Sequence, residues 1–160
     1  MAVDTFAKIG DIKGESQDDK HKEEIELLSW SWGVNQTGTM GSGSGAGAGK
    51  ANFSDFTFNH YVDKASPNLM KACATGEHIK EATITARKAG KGQQEFLIIK
   101  MNDVIVTSVA SGGSAEVGAT AEHVVLRFAK VDLEYKPQKA DGSLDAGVHF
   151  KYDIKAQKEG

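Results

Sequence analysis

A glycine-rich run at residues 38–50, GTMGSGSGAGAGK, constrains the fold of this chain more than any other feature. It holds six of the 18 glycines and no side chain that could fill a core or carry chemistry. Glycine loses the most conformational freedom on ordering, and long loops without structure of their own are usually disordered or functional. Strand-like segments flank the run on both sides. We therefore expect an arm, residues 37–50, that extends from a β-scaffold to contact another molecule, which favours assembly over catalysis.

Length and charge narrow the classes of protein further. A chain of 160 residues is most simply one domain, residues 1–160, and is large enough for a real core. The net charge of −3 argues against nucleic acid as a partner, because nucleic-acid binding calls for a basic patch or stripe.

The sequence also predicts no membrane insertion, since no segment approaches the roughly 18 consecutive apolar residues of a membrane span. The first residues, MAVDTFAKIGD, lack the features of a signal peptide. We expect the protein to be cytoplasmic when it is made and assembled, and a dedicated machine to export it if it is secreted.

Alternating apolar residues predict a mainly β fold. The predicted strands cover residues 5–12, 24–34, 52–60, 81–87, 95–101, 104–109, 122–135 and a last strand around 150–154. One short helix is predicted, with Ser66 as N-cap, Pro67 at its first position and Gly76 just past its end. Together these elements favour a two-sheet β-barrel of about eight strands with one α-helix packed alongside.

Two strands carry additional information in their alternation. In residues 24–34, Trp30 and Trp32 are predicted to face the core, so that Ser29 and Ser31 face outward. In residues 122–135 the apolar phase changes from even to odd, which predicts a bulge or bend near Ala129.

No motif in the sequence indicates catalysis, a cofactor or a metal site. GAGK at residues 47–50 resembles the end of a phosphate-binding loop, but Ala51 stands where Ser or Thr is required, and a strand pattern follows instead of a helix. The five histidines share no metal-ligand spacing, and each is interpreted as a surface or half-buried residue. Cys73, the single cysteine, is interpreted as a buried and inert thiol.

Several unusual segments occur together in one order. They are MAVDTFAKIGDIKGES, HKEEIELLSWSWG, a glycine-rich arm ending in GAGK, DKASPNLMKACATGEH, RKAG, FLIIKMNDVIVTSV and YKPQKADG. In this order the chain closely resembles the Hcp family, the haemolysin-coregulated proteins of bacterial type VI secretion systems, over essentially its whole length.

The resemblance implies a structural tube protein and not an enzyme. Members of the family form homohexameric rings that stack into a tube, and a contractile sheath drives the tube into a target cell. It implies further partners, namely the sheath, the tube-tip spike proteins and, in some members, small effector proteins carried in the ring. It also implies secretion to the extracellular space or the target cell without a signal peptide.

Two groups of residues are the candidate contacts of such an assembly. Ser29 and Ser31 are candidates for a lumen or effector contact, because they are small polar residues on an outward strand face. Residues of the arm are candidates for contacts between subunits or rings, because an unobstructed glycine backbone can pair across an interface. These residues are Gly41, Gly43, Gly45, Gly47, Gly49 and Lys50.

Three other interpretations remain open at this point. A phage-type tail-tube protein would share the architecture. A monomeric β-barrel ligand carrier would hold a cavity inside one chain. A β-barrel enzyme would need a polar constellation in a pocket, and the sequence indicates none.

Overall fold

β-Strands dominate the chain, and one short helix accompanies them. The computed structural model describes residues 2–36, 50–89, 92–116 and 118–160. The strands in these residues are β1 Val3–Ile9, β2 Ile25–Glu26, β3 Ser29–Ser31, β4 Val34–Gln36, β5 Ala51–Phe53, β6 Phe56–Tyr61, β7 Ile79–Lys88, β8 Glu95–Gly112, β9 Ala121–Tyr135, β10 Val148–Asp153 and β11 Lys158–Glu159. The helix, α1, spans Ser66–Thr75. The prediction of a mainly β fold with one short helix is confirmed.

Most of the strands belong to one antiparallel sheet that branches at β9. The nine-stranded sheet has the order β11-β10-β9-β8-β7-β1-β2, and β6 pairs with both β9 and β3. The first part of β9, residues 121–126, pairs with β6, and its last part, residues 130–135, pairs with β10. β4 and β5 form a separate two-stranded sheet. The described strands thus form one large and one small sheet and do not make a closed barrel, which differs in arrangement from the predicted two-sheet β-barrel of about eight strands.

The difference originates in the segment predicted as a single strand, residues 24–34. This segment divides into β2, β3 and β4 because it changes partners along its length. The Leu27 N–H donates to the Thr5 carbonyl of β1 at 2.9 Å, and the next N–H, of Leu28, donates to the Asn59 carbonyl of β6 at 2.8 Å. The segment thus pairs with β1 in its first part and with β6 in the next part. No single strand in it pairs with both.

The buried face of β9 changes phase as predicted, and the buried face of its neighbour β8 changes phase at the same place. Phe128 and Val131 are both buried, which places the change at residues 129–130. β8 changes phase in the same row, where Met101 and Val104 are buried and Asp103 between them has a positive φ of 55°. Because both strands change phase at the same row, their register is the same on either side of it. The register shift between β8 and β9 lies further along β8, between Val106 and Ser108, so the predicted bulge is not at residues 129–130.

Helix α1 packs against β8 and covers part of the core. Leu69 and Ala72 are fully buried. The helix ends where the sequence predicts, at Gly76 with a φ of 66°, whose N–H donates to the Cys73 carbonyl. The predicted N-cap is wrong by one residue. Ala65 occupies the cap position, and Ser66 instead accepts a hydrogen bond from the Asp63 N–H at 3.1 Å.

An aromatic cluster anchors the base of the arm. Phe53 of β5 packs on Tyr152 and Phe150 of β10, with ring centroids 4.9 and 6.3 Å apart, and on Trp32 at 6.0 Å. Trp32 also packs on Phe128 of β9 at 6.0 Å. The paired residues of β4 and β5 flank the arm directly. The arm therefore starts and ends on a short ladder that is fixed to the main sheet by buried aromatic area.

A buried arginine fixes the loop that follows β1. Arg87 of β7 is buried, and its guanidinium donates two hydrogen bonds to the Asp18 carboxylate, one of them from Nη1 at 2.8 Å. This bidentate contact lowers the pKa of Asp18 from its ordinary 3.8 to about 2, against the smaller opposing effect of burial.

The Asp18 contact predicts a specific loss of stability in acid. Because the pKa of Asp18 is lower in the folded state, its stabilisation is present above the ordinary value of 3.8 and is lost as the pH falls through about 2. Asp18→Asn should therefore lower the free energy of unfolding at neutral pH, and the difference from wild type should shrink towards zero near pH 2. Denaturant titrations across this range, at one protein concentration, measure it. The exposed neighbour Asp19, changed to Asn, is the control, and an equal pH dependence in both variants would contradict the prediction.

Candidate functional site

The two candidate serines lie on the outward face of β3, as predicted. Ser29 and Ser31 are exposed, whereas Trp30 between them is half-buried and stacks on Phe56 with the ring centroids 5.6 Å apart. The strand alternation thus places the hydroxyls on the face opposite the aromatic core.

The register of the sheet continues these serines into two outward rows, which are polar except for Val125. Ser29 pairs with Asn59 of β6, which pairs with His123 of β9. Ser31 pairs in the same way with Thr57, whose other neighbour is Val125. We call the outward surface made by these residues of β3, β6 and β9 the polar face.

Asn59 holds the first row in one arrangement. Its Nδ2 donates to the Ser29 Oγ at 2.9 Å, and its Oδ1 lies 3.0 Å from the His123 Nδ1. An amide oxygen can only accept, so the proton is on Nδ1, and Nε2 of a neutral His123 is the acceptor. Since the Ser29 oxygen already accepts from Asn59, its own hydroxyl proton is available for another molecule.

An ion pair borders the polar face. Arg127 Nε and Nη2 lie 3.2 and 3.4 Å from the carboxylate oxygens of Asp55, and this contact raises the pKa of Arg127. Because the two charges compensate each other, the face presents hydroxyl, amide and imidazole groups with little net charge. It can form hydrogen bonds, but it has no base aligned on a serine hydroxyl for nucleophilic chemistry.

The candidate residues of the arm fall mostly outside the described residues. Gly41, Gly43, Gly45, Gly47 and Gly49 all lie in residues 37–49, so their role as contacts stays a prediction. Lys50 is described and is exposed immediately before β5. Of the candidate residues, Ser29 and Ser31 are the pair that the structure brings together on one face.

Sequence reasoning missed two buried histidines. His60 is fully buried, and its Nε2 lies 2.8 Å from Oε1 of the buried Glu122, whose Oε2 accepts from the Ser111 hydroxyl at 2.7 Å. His21 is also buried, so the interpretation of these two as surface or half-buried residues is wrong. For His60 a signal existed, because it shares the period-two face of Phe56 and Phe58.

Cavities, metal sites and membrane spans add no second candidate within the described part of the chain. A cleft of about 720 Å³ between α1 and the ends of β1 and β7 is lined by both signs of charge, including Lys71, Lys80 and Glu81. Among the described residues no cluster of three or more His, Cys, Asp and Glu could hold a metal ion. None of the helical residues described forms a stretch long and apolar enough to cross a membrane.

Most of the chain matches a known protein family. The model of the family described as "Type VI secretion system effector, Hcp" matches residues 6–135. The protein hcp1 of Pseudomonas aeruginosa is 56% identical over 157 residues, which are 97% of each chain.

Solved structures of related proteins share the fold. Hcp1 from Salmonella typhimurium is 44% identical with a TM-score of 0.83, and the match covers 100% of both chains. A type VI secretion system effector from Yersinia pestis is 40% identical with a TM-score of 0.77, over 94% of this chain and 99% of the other. A structure described as a type six secretion system protein is 29% identical with a TM-score of 0.93, over 99% of this chain and 100% of the other.

Proposed function

Because the chain belongs to the Hcp family of type VI secretion proteins, we propose that it is a tube subunit that forms six-membered rings. The rings stack into a tube inside a contractile sheath and below a tube-tip spike. The subunit, a single domain of residues 1–160, is assembled in the cytoplasm and then secreted. Family membership is the observation that carries this proposal, because the family model matches residues 6–135, more than half of the sequence.

The polar face is the proposed lining of the ring lumen. It is exposed, nearly uncharged in sum and built on three adjacent strands, so its shape is fixed by the sheet and not by a loop. Ser29 and Ser31 offer hydroxyl groups that can bond a small effector protein in transit. A lining of this kind permits varied cargo, because single neutral hydrogen bonds contribute only about 1 kcal/mol each.

The arm is the proposed contact between stacked rings. Its base is fixed to the main sheet through Phe53, while its glycine backbone can pair with a neighbouring ring. A ring contact closes on itself, whereas a stacking contact is open and builds filaments. Ordering the arm costs conformational entropy, which keeps stacking weaker than ring formation.

The lumen proposal predicts the effect of enlarging Ser31. Ser31→Gln adds a long side chain to the polar face and should leave the rings intact, while a small effector co-expressed with the protein is no longer retained. Affinity purification followed by the mass of the ring and the amount of bound effector measures both properties. Thr83→Gln, on the outward face of β7, is the matched control. Rings of Ser31→Gln that hold as much effector as this control would refute the lumen assignment.

The arm proposal predicts a separation of rings from tubes. Changing Gly43 and Gly45 to Val places branched side chains on the arm, so rings should persist while stacked tubes become rare. Electron micrographs of concentrated protein give the ratio of tubes to rings. Changing Ser42 and Ser44 to Ala keeps every glycine and is the control. Tubes of equal length in both variants would show that the arm is not the stacking contact.

A further inference from the structure

The loop of residues 13–24, here called the latch loop, is folded back on itself beside the sheet. The Gly14 N–H donates to the Glu23 carbonyl at 2.8 Å, and the Ser16 N–H donates to the Glu24 carbonyl at 3.0 Å. The approach is close, since a Cβ added at Gly14 would lie 2.5 Å from the Glu24 carbonyl oxygen. The loop also holds the segment before α1, because Glu15 accepts from the Lys64 N–H at 2.9 Å.

His21 connects the latch loop to the main sheet through two carboxylates. Its Nδ1 lies 3.0 Å from Oε2 of Glu24, which is part of the loop. Its Nε2 lies 2.8 Å from Oε1 of Glu95, the first residue of β8. The His21 side chain is only 8% exposed, and Glu24, at 15%, is more shielded from water than Glu95, at 33%.

The geometry of His21 requires a particular protonation state. A carboxylate can only accept, so both contacts are hydrogen bonds only when both ring nitrogens carry a proton. A neutral imidazole has one N–H and one lone pair, and that lone pair would face a carboxylate oxygen at 3.0 Å or less. One of the two contacts must then be lost or become repulsive.

An aromatic ring and a second ion pair complete the surroundings of His21. The imidazole stacks on Phe6 of β1, with centroids 4.5 Å apart and an interplanar angle of 7°. The Arg87 guanidinium carbon lies 4.8 Å from the centroid of the Phe6 ring, and the Arg87 charge is neutralised by Asp18. The charged groups around His21 are therefore Glu24 of the loop, Glu95 of β8, Asp18 of the loop, Arg87 of β7 and Asp4 of β1, which lies 3.7 Å from Arg87.

We propose that His21 is a proton-dependent latch: when it is doubly protonated it holds the His21–Glu24 end of the latch loop against β8, and when it is neutral this end loosens while Asp18 stays bound to Arg87. Both carboxylate contacts exist together only while both ring nitrogens carry a proton, so the hold is present at the lower pH and is lost when the ring gives up one proton. The Arg87–Asp18 contact stays intact over this range, since Asp18 titrates only near pH 2. Release is therefore a local loosening of the loop and not unfolding of the sheet. The proposal is independent of the tube and lumen assignments.

Amide hydrogen exchange of the purified full-length protein tests the latch. The reporters are the amides of Gly14, Ser16 and Glu23, measured at about pH 6 and about pH 9, on either side of the ordinary range of histidine. After correction for intrinsic exchange, their protection should fall about tenfold or more, the size expected for losing a charge-assisted hydrogen bond. Protection of the β1–β7 ladder, at Phe6 and Ile84, should not change.

Two variants separate the latch from a general effect of pH. His21→Gln cannot acquire a charge, so its loop amides should be weakly protected at both pH values. His149→Gln is the matched control, because His149 also lies between two carboxylates, Asp132 at 2.8 Å and Glu134 at 3.1 Å, but it is exposed. It should retain the full pH dependence of the loop.

The wild-type measurement alone can overturn the proposal, even if His21→Gln does not fold. Loop protection that is the same at both pH values after correction would contradict it. So would a pH dependence that survives in His21→Gln. Nitrogen chemical shifts of the His21 ring provide a second readout, since both nitrogens must be protonated at the pH where the loop is protected.

Discussion

Residues 25–31 pair first with β1 and then with β6, and the rest of the molecule depends on this change of partner. Leu27 bonds to one edge of the sheet and Leu28 to the other, so a single peptide unit separates the two pairings. The same segment places Trp30 inward against Phe56 and Ser29 outward beside Asn59. Core formation and presentation of the polar face are thus two consequences of one local arrangement.

Buried polar groups fix the loops around this sheet. Arg87 holds Asp18 at one end, while His60, Glu122 and Ser111 form a hydrogen-bonded row at the ends of β6, β9 and β8. Such groups are costly to bury unless they are paired, so removing one partner destabilises more than the pair contributes. These contacts hold the segments that they join in one position relative to the strands.

Local patterns in the sequence predicted the elements, and long-range pairing determined what they could not. Alternation identified the main strands and the outward direction of Ser29 and Ser31, but it divided β8 into two strands, 95–101 and 104–109. Pro67 and Gly76 marked the helix. The division of residues 24–34 could not be predicted, because it depends on two partner strands distant in sequence. Asn59 and His123 join the polar face only through register, which a single sequence does not encode locally. His21 lies in a charged loop without periodicity, so its burial left no signal.

Negative-stain electron microscopy of the purified protein tests whether the chain forms rings with a central lumen, as proposed. A tube subunit should give open rings with six-fold symmetry and a central channel at modest protein concentration. Featureless particles of the size of one subunit would contradict it, and the exposed polar face would then need another partner.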